Sequence, residues 1–415
     1  MKLISDKNNA NKWSGHMSKP SLAASTTKKA IYERIARQRD VPKAELMDEF
    51  RMTSSSLTRL LEEMTDEGWI VEAGLGQSTG GRKPILYQIN PTQKVIFGLE
   101  ISRLYSALGL FDLEMNTLSF CRWTMDGAMT PERLVNYISS SMDTMLAEHH
   151  LDKSKVAGIG VGAVGPLDRH KGYILNPLYF PAAGWSDVPI CELLENTTGI
   201  RAILENGANT ALIGEHWVLR NDNIQHMLYV HAGTGLRSAM MSNGNLVHGA
   251  VDMEGSIGQM IIQTDGPRLH NMGNYGALEA FASVQALEKQ VRAQRNMRRD
   301  RLTSTEGLES DVVHFDMLVE ALNQGDPFIH EIFTQSASYM GIGLANLINI
   351  LHPETVILGG ALINAHRIYY DTAISVAQKN IYYFPEYQPT FSKGILQENA
   401  VSMGAAVMVF KQLQI

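Results

Sequence analysis

The sequence predicts an α/β protein of two lobes with a winged helix-turn-helix unit ahead of it. Three features carry that expectation. Within residues 26–90, helical patterns joined by short turns are followed by two alternating runs around a glycine-rich loop. Beyond residue 93, strand-like runs alternate with helical ones, the pattern of mostly parallel sheets with helices between the strands. That stretch holds two halves that each begin with strands, with a junction near residue 205, so a cleft between lobes is expected. At 415 residues the chain suggests two or three domains, and 44% apolar with 19% charged residues is a globular composition. A net charge of −7 does not announce a nucleic-acid binder, so any DNA contact must come from a local patch. Cys121 and Cys191 stand far apart and give no disulfide or metal framework; they fit a reducing cytoplasm. The opening MKLISDKNNANKW lacks the apolar segment of a signal peptide. The richest apolar run, GIGLANLINILH, is interrupted by Asn346, Asn349 and His352, well short of the about 18 apolar residues of a membrane span. A soluble cytoplasmic protein with no membrane partner is the expectation.

Residues 1–25 are polar and read as a flexible tail. From about Thr27 a helix is expected, with Ile31 and Ile35 one turn apart. KAELMDEF (43–50) follows Pro42, a residue suited to a helix start. TSSSLTRLLEEMTDEG is the third helix, with Thr53 as N-cap and Leu57, Leu60, Leu61 and Met64 on one face. After Gly68 the period drops to two: WIVEAG, the loop GQSTGGRKP and ILYQIN read as a β-hairpin, the wing. In residues 93–415, VIFGLEI, YSALGLFD, VAGIGVG, MLYVHAG and TVILGG read as strands. Helices are expected over 131–148, 208–219, 277–294, 329–351 and 365–380.

The third helix presents Ser54, Ser55, Ser56, Thr58 and Arg59 opposite its leucine face. Short hydroxyls and an arginine can reach base edges and phosphates in a major groove. The wing tip carries Gly81, Arg82 and Lys83, and an arginine on a narrow glycine-flanked loop can enter a minor groove. Segment 26–90 holds ten basic and ten acidic residues, so it is not basic as a whole. Glu62, Glu63, Asp66 and Glu67 cluster late in the third helix, away from its reading end. A protein-binding winged helix with a solvated loop is the competing reading.

ILENGANTALIGE (203–215) runs from a strand into a polar turn and then a helix, the place where ligands dock in α/β proteins. Its neighbours bring a family into view. GRKP resembles the wing of the ROK family, GIGVGAVGPLD (158–168) its sugar loop, and ENGAN (205–209) its Glu-Asn-Asp turn. GTG (233–235) with NGNLVHGA (243–250) resembles its phosphate-side loop, and residues 255–283 its long signature. ILGG (357–360) is similar to its nucleotide-side glycine pair. The resemblance covers roughly 27–415 and implies an actin-like (ribonuclease H-like) two-lobed sugar-kinase fold behind a winged helix. Residues 93–415 are then an effector-binding and oligomerisation domain.

The departures from the family fall on its chemistry. The aspartate that takes the proton from the sugar hydroxyl is replaced by Gly207, which has no acceptor. The signature glutamate is Ser256, and the zinc set becomes Gln259, His270, Met272 and Ala277, of which only His270 is a good ligand. Glu100-Ile101-Ser102-Arg103-Leu104 puts bulky side chains where small ones let amides approach a phosphate. What remains for an effector is Gly165, Asn176, Asn206, Gln259 and Glu279, of which Asn206 and Glu279 match sugar-contacting positions. The expectation is a non-enzymatic regulator, most simply a repressor of carbohydrate-use genes, without cofactor or metal. Its partners are operator DNA and a sugar-like effector, and the resemblance implies a homodimer or homotetramer. The alternatives are an ATP-dependent sugar kinase with an appended DNA-binding unit, and a scaffold that senses a protein partner.

Overall fold

The computed structural model describes residues 21–76, 83–177, 180–252, 256–271, 273–299 and 313–415. The chain divides into two compact units, one reaching Asn90 and the other running from Pro91 to Leu413.

The first unit contains α1 (Ser21–Arg37), β1 (Val41–Pro42), α2 (Lys43–Phe50), α3 (Ser54–Asp66), β2 (Ile70–Leu75) and β3 (Ile85–Ile89). α1 begins inside the stretch expected as tail; residues 1–20 lie outside the described residues. Arg51, in the left-handed region at φ 50°, closes α2 with its N–H on the Met47 carbonyl. The chain then turns into α3, where the Thr53 hydroxyl accepts from the Ser56 N–H as the N-cap. The expected hairpin β2–β3 gains a third strand, because Val41 and Pro42 pair with Tyr87 and Leu86. Ile31, Ile35, Leu46, Leu57, Leu61, Met64 and Ile70 are at most 1% exposed and form the core of this unit.

The first lobe of the second unit contains β4 (Val95–Ile101), β5 (Tyr105–Asp112), β6 (Thr117–Thr124), α4 (Pro131–Glu148), β7 (Val156–Ala163), β8 (Leu167–Asp168), β9 (Tyr173–Ile174), α5 (Ile190–Thr198) and β10 (Ala202–Asn206). α6 (Gly207–Val218) leads into the second lobe: β11 (Met227–Ala232), β12 (Leu236–Ser242), β13 (Asn245–Leu246), α7 (Glu279–Ala282), α8 (Val284–Arg299), α9 (Phe315–Asn323), α10 (Pro327–Leu351), β14 (Thr355–Gly359), α11 (Ala361–Ala365), α12 (Arg367–Asn380) and β15 (Thr390–Ser392). α13 (Ala400–Lys411) follows.

The two large sheets run β10-β7-β4-β5-β6 and β13-β12-β11-β14-β15. Numbered within its own lobe, each sheet has the order 3-2-1-4-5, so the repeat absent from the residues is present in the topology. This doubled arrangement is the actin-like one. The expectation of mostly parallel sheets needs correction. In each lobe the first three strands are antiparallel neighbours and only the last two join in parallel. The links from β4 to β5 and from β11 to β12 hold a few residues each, too few for the crossover a parallel pair requires. One expected helix is also broken: Ser283, with extended backbone, separates α7 from α8. The helix expected over 365–380 is α12, which starts at Arg367; His366, likewise extended, ends α11 and caps α12, its Nδ1 accepting from the Ile368 N–H.

α6 and α13 cross between the lobes. α6 leaves the first sheet yet packs on β11 and β12; α13 leaves the second lobe yet packs on β4 and β7, and the two helices pack on each other. Glycines make this close approach possible. A Cβ at Gly160 would stand 1.8 Å from the Ala405 carbonyl oxygen, and one at Gly404 would stand 1.6 Å from that of Thr210.

Candidate functional site

The helix α3, expected to read DNA, is more tied down than its sequence suggests. Lys43, at the start of α2, donates to the Ser54 hydroxyl at 2.9 Å and also reaches the Thr58 hydroxyl, which donates to the Ser54 carbonyl. Ser55 and Ser56 share the Thr53 hydroxyl at 3.3 and 3.0 Å. Ser54, Ser55, Ser56 and Arg59 are exposed on one face, whereas Thr58 is half-buried. Lys43 was not singled out in the sequence, since its link to α3 depends on how α2 docks. Two of the acids at the far end of α3 are answered: the buried Lys28 ammonium pairs with Glu63 at 3.0 Å and Glu67 at 2.5 Å. Arg34 similarly holds Glu49 at 2.6 Å and Glu45 at 3.4 Å. Lys83 is exposed before β3; Gly81 and Arg82 lie outside the described residues.

In the second unit, β10 carries the chain into α6 through Glu205, Asn206 and Gly207. The Asn206 side chain accepts from the Asn209 N–H at 2.8 Å and caps the helix, and its Nδ2 donates to Asp252 Oδ1 at 2.7 Å. Glu205 is fully engaged: Oε1 accepts from the Asn206 N–H and from Asn209 Nδ2, and Oε2 meets His248 Nε2 at 2.8 Å. Among the described residues the other Asp252 oxygen is shielded and has no close hydrogen-bond partner, and burial raises its carboxyl above the ordinary value. Gly207 is the first residue of α6. Its φ is not positive, and the nearest atom to a Cβ there would be Arg237 Nη1 at 3.4 Å. Neither backbone conformation nor packing therefore demands a glycine at 207.

Glu279 Oε1 accepts from the Leu236 N–H at 3.3 Å, and its Oε2 accepts from Gln259 Nε2 at 3.1 Å. Gly235 allows that approach, since a Cβ there would meet Glu279 Oε1 at 2.6 Å. Gln259 Oε1 in turn accepts from the Asn274 N–H at 2.8 Å, so it braces the loop from inside. Met272 of the zinc set lies outside the described residues, as does Gly255 of the signature; Ala277 is buried. The five expected effector residues thus form pairs and not one ring. Gln259 joins Glu279, and Asn206 joins Asp252, which the sequence reading missed. Asn176 is exposed past β9, with no hydrogen bond to the other four among the described residues, and Gly165 is half-buried beside the short β8–β9 sheet.

Gly207 opens on an interlobe cleft of about 560 Å³, lined among others by Glu100, Arg103, His231, Arg237 and Gly360. Burial lifts the Glu100 carboxyl to about 7, against the pull of Arg237 and Arg122. Burial drives His231 well below its ordinary value, so its ring stays neutral. Register puts His231 opposite Arg237 across the β11–β12 hairpin, whose turn is Gly233-Thr234-Gly235. A bulky cation two residues past that glycine pair is the one signal in the sequence that could have singled out Arg237.

The profile of the ROK family matches residues 96–412. The xylose repressor of Caldicellulosiruptor bescii is 26% identical over 371 residues, spanning 89% of this chain and 91% of its own. The glucokinase of Halalkalibacterium halodurans is 31% identical over 228 residues, covering 55% of this chain and 68% of its own. Among solved structures, a ROK family transcriptional regulator, described as a homolog of the E. coli MLC protein, superposes with a TM-score of 0.74 at 21% identity, over 94% of this chain and 96% of that one. A ROK hexokinase from Thermus thermophilus gives 0.63 at 27% identity, over 77% and 98%. With a doubled 3-2-1-4-5 body, and with the family profile spanning most of the chain, the protein belongs to the ROK family.

Proposed function

We propose that the chain is a DNA-binding transcriptional regulator, a repressor of carbohydrate-use genes, whose kinase-like cleft senses a sugar-like effector and does not transfer phosphate. The observation that carries this reading is the pairing of a winged unit with a sugar-side turn that ends in Gly207. Phosphoryl transfer to a hydroxyl needs an acceptor for its proton held in line with the phosphate. Position 207 has none, although the space beside it would admit a side chain. The neighbouring Glu205 is no substitute, because both of its oxygens already accept hydrogen bonds. The extent of the relatives supports the same reading: the repressor and the regulator cover 89% and 94% of this chain, the glucokinase and the hexokinase 55% and 77%.

In this reading Ser54, Ser55, Ser56, Thr58 and Arg59 face the major groove, and Gly81, Arg82 and Lys83 form the wing that follows the minor groove. Lys43 anchors the first turn of the reading helix. Asn206, Asp252, Gln259 and Glu279 take effector hydroxyls, with Gly165 and Asn176 at the margin. The regulator works in the cytoplasm as a homo-oligomer, because a two-fold operator is matched by paired winged units. The test is binding of the purified protein to its own upstream DNA with and without a panel of sugars, alongside a coupled phosphorylation assay with ATP. Sequence-preferring DNA binding that a sugar shifts, without turnover, is the expected result. Sugar phosphorylation at about one turnover per second, a typical slow kinase rate, would overturn it.

A further inference from the structure

A second cavity, of about 310 Å³, lies within the second lobe and shares no lining residue with the interlobe cleft. It is enclosed by α7, the first half of α8, the middle of α10 and the loop over residues 267–269. Phe281 and Tyr339, both in its wall, hold their rings 4.2 Å apart at 32°. Ala280, Ala286 and Ala293 contribute only methyl groups, so space remains beside that ring pair. Arg268 and Lys289 add two positive charges, and both are held by neutral groups. Lys289 Nζ donates to the Arg268 and Leu269 carbonyls at 2.9 and 3.1 Å, and Arg268 Nε donates to the Gly273 carbonyl at 2.5 Å. Among the described residues no carboxylate lines the cavity or pairs with either cation. The neighbouring acids are engaged elsewhere: Glu279 holds the Leu236 N–H and Gln259, and Glu288 lines the interlobe cleft. Gln290 Nε2 donates to Gln335 Oε1 at 3.0 Å, which ties α8 to α10 and leaves the Gln335 amide N–H groups for another acceptor.

We propose that this cavity is a second ligand site, for a small aromatic carboxylate, with its ring against Phe281 and Tyr339 and its carboxylate toward Lys289 and Arg268. The volume lies at the lower end of the range for small-molecule sites, roughly 300–1,000 Å³. An apolar enclosure alone would take a neutral hydrocarbon. Two like charges lining one space, with no acid to balance them, concentrate an anion there. The ring pair and the alanines require the rest of that anion to be flat and apolar. A sugar or a nucleotide does not fit this description, because its hydroxyls would lie against methyl groups and ring faces with few partners. The site goes beyond the regulator reading and stands without it. Its occupant would still be felt nearby: Ala280 and Phe281 follow Glu279 directly, and the Arg268 loop continues into Asn274, whose N–H donates to Gln259.

Calorimetry on the full chain tests this with benzoate, 2-naphthoate and indole-3-acetate, each beside its neutral amide, and with acetate, which has the charge and no ring. At least one ring acid should bind about tenfold or more tighter than its amide and than acetate. Lys289→Gln, at an exposed position, should shrink that margin about threefold or more. Ala293→Phe, also at an exposed position, fills the cavity and should abolish binding of acid and amide alike in a protein that melts as the parent does. Hydrogen exchange with the best acid bound should slow the amides around 268–269, 280–293 and 335–339. The proposal falls if no ring acid exceeds its amide, if acetate matches the best of them, or if either variant leaves the affinity unchanged. It falls equally if the slowed amides lie elsewhere, the interlobe cleft and the winged unit included. Operator binding is scored apart, so a chain that prefers no DNA site loses the regulator reading and keeps this one.

Discussion

Glu100 gives the body a measurable dependence on pH. Its carboxyl rises from an ordinary value near 4.5 to about 7 in the folded chain, chiefly because burial disfavours the charged form. A folded-state value above the unfolded one means that the native protein holds the proton more tightly. The contribution to stability is therefore complete below about pH 4.5, declines between there and about 7, and is absent above. That difference corresponds to about 3 kcal/mol. Glu100→Gln keeps the shape of the neutral acid and cannot ionise. The variant should match the parent near pH 4.5 and exceed its stability by up to about 3 kcal/mol above pH 7. Urea unfolding of both proteins at a series of pH values, followed on the transition of the body, gives the difference directly. A gap that stays constant from pH 5 to 8 would refute the reasoning, because a buried acid charging late has to produce a slope.

Three further outcomes can be measured. Gly160→Ala should cost about 3 kcal/mol or more, because its Cβ would overlap the Ala405 carbonyl, whereas Gly127→Ala, with no atom nearer than 3.9 Å, should fall within about 0.5 kcal/mol in the same thermal melts. Arg82→Ala should weaken operator binding and lower the salt slope by about one phosphate-equivalent; an unchanged slope removes the wing from the interface. Because Gln259 is used as a hydrogen-bonding brace, the purified protein should carry no stoichiometric zinc, and a chelator should leave its melting temperature unmoved. About one zinc per chain by elemental analysis would contradict that.

Much of the scaffold could be read before any coordinate was known, and the reasons are local. YSALGLFD and the helix from Pro131 to Glu148 fall where their patterns place them, because alternation, a first-turn proline and a capping threonine act over a few residues. The three helices of the winged unit were legible for the same reason. What the sequence hid depends on distant pairing. β6 carries the exposed alternation of a sheet edge and merged with its surroundings. The break at Ser283 has neither glycine nor proline to mark it. At the site, Gly207 was visible as a missing carboxylate, but the place of Arg237 beside it depends on how α6 packs on β12. Lys28, thirty-five residues from Glu63, shows the same limit: two of the acids that cluster late in α3, Glu63 and Glu67, share a partner that no local pattern in the sequence indicates.

The crossing of α6 and α13 also bears on the order in which the protein can be made. Every residue of β4 is buried, and part of its cover is α13, which the ribosome adds only after the whole second lobe. The first lobe can build its hairpins and one helical layer during translation, but its sheet stays uncovered on the α13 side until residue 411 has emerged. The winged unit, with its own core inside residues 21–90, meets no such delay. A nascent chain would thus present a finished DNA reader while the lobes that govern it are still incomplete, and the effector body would then close as a single late event.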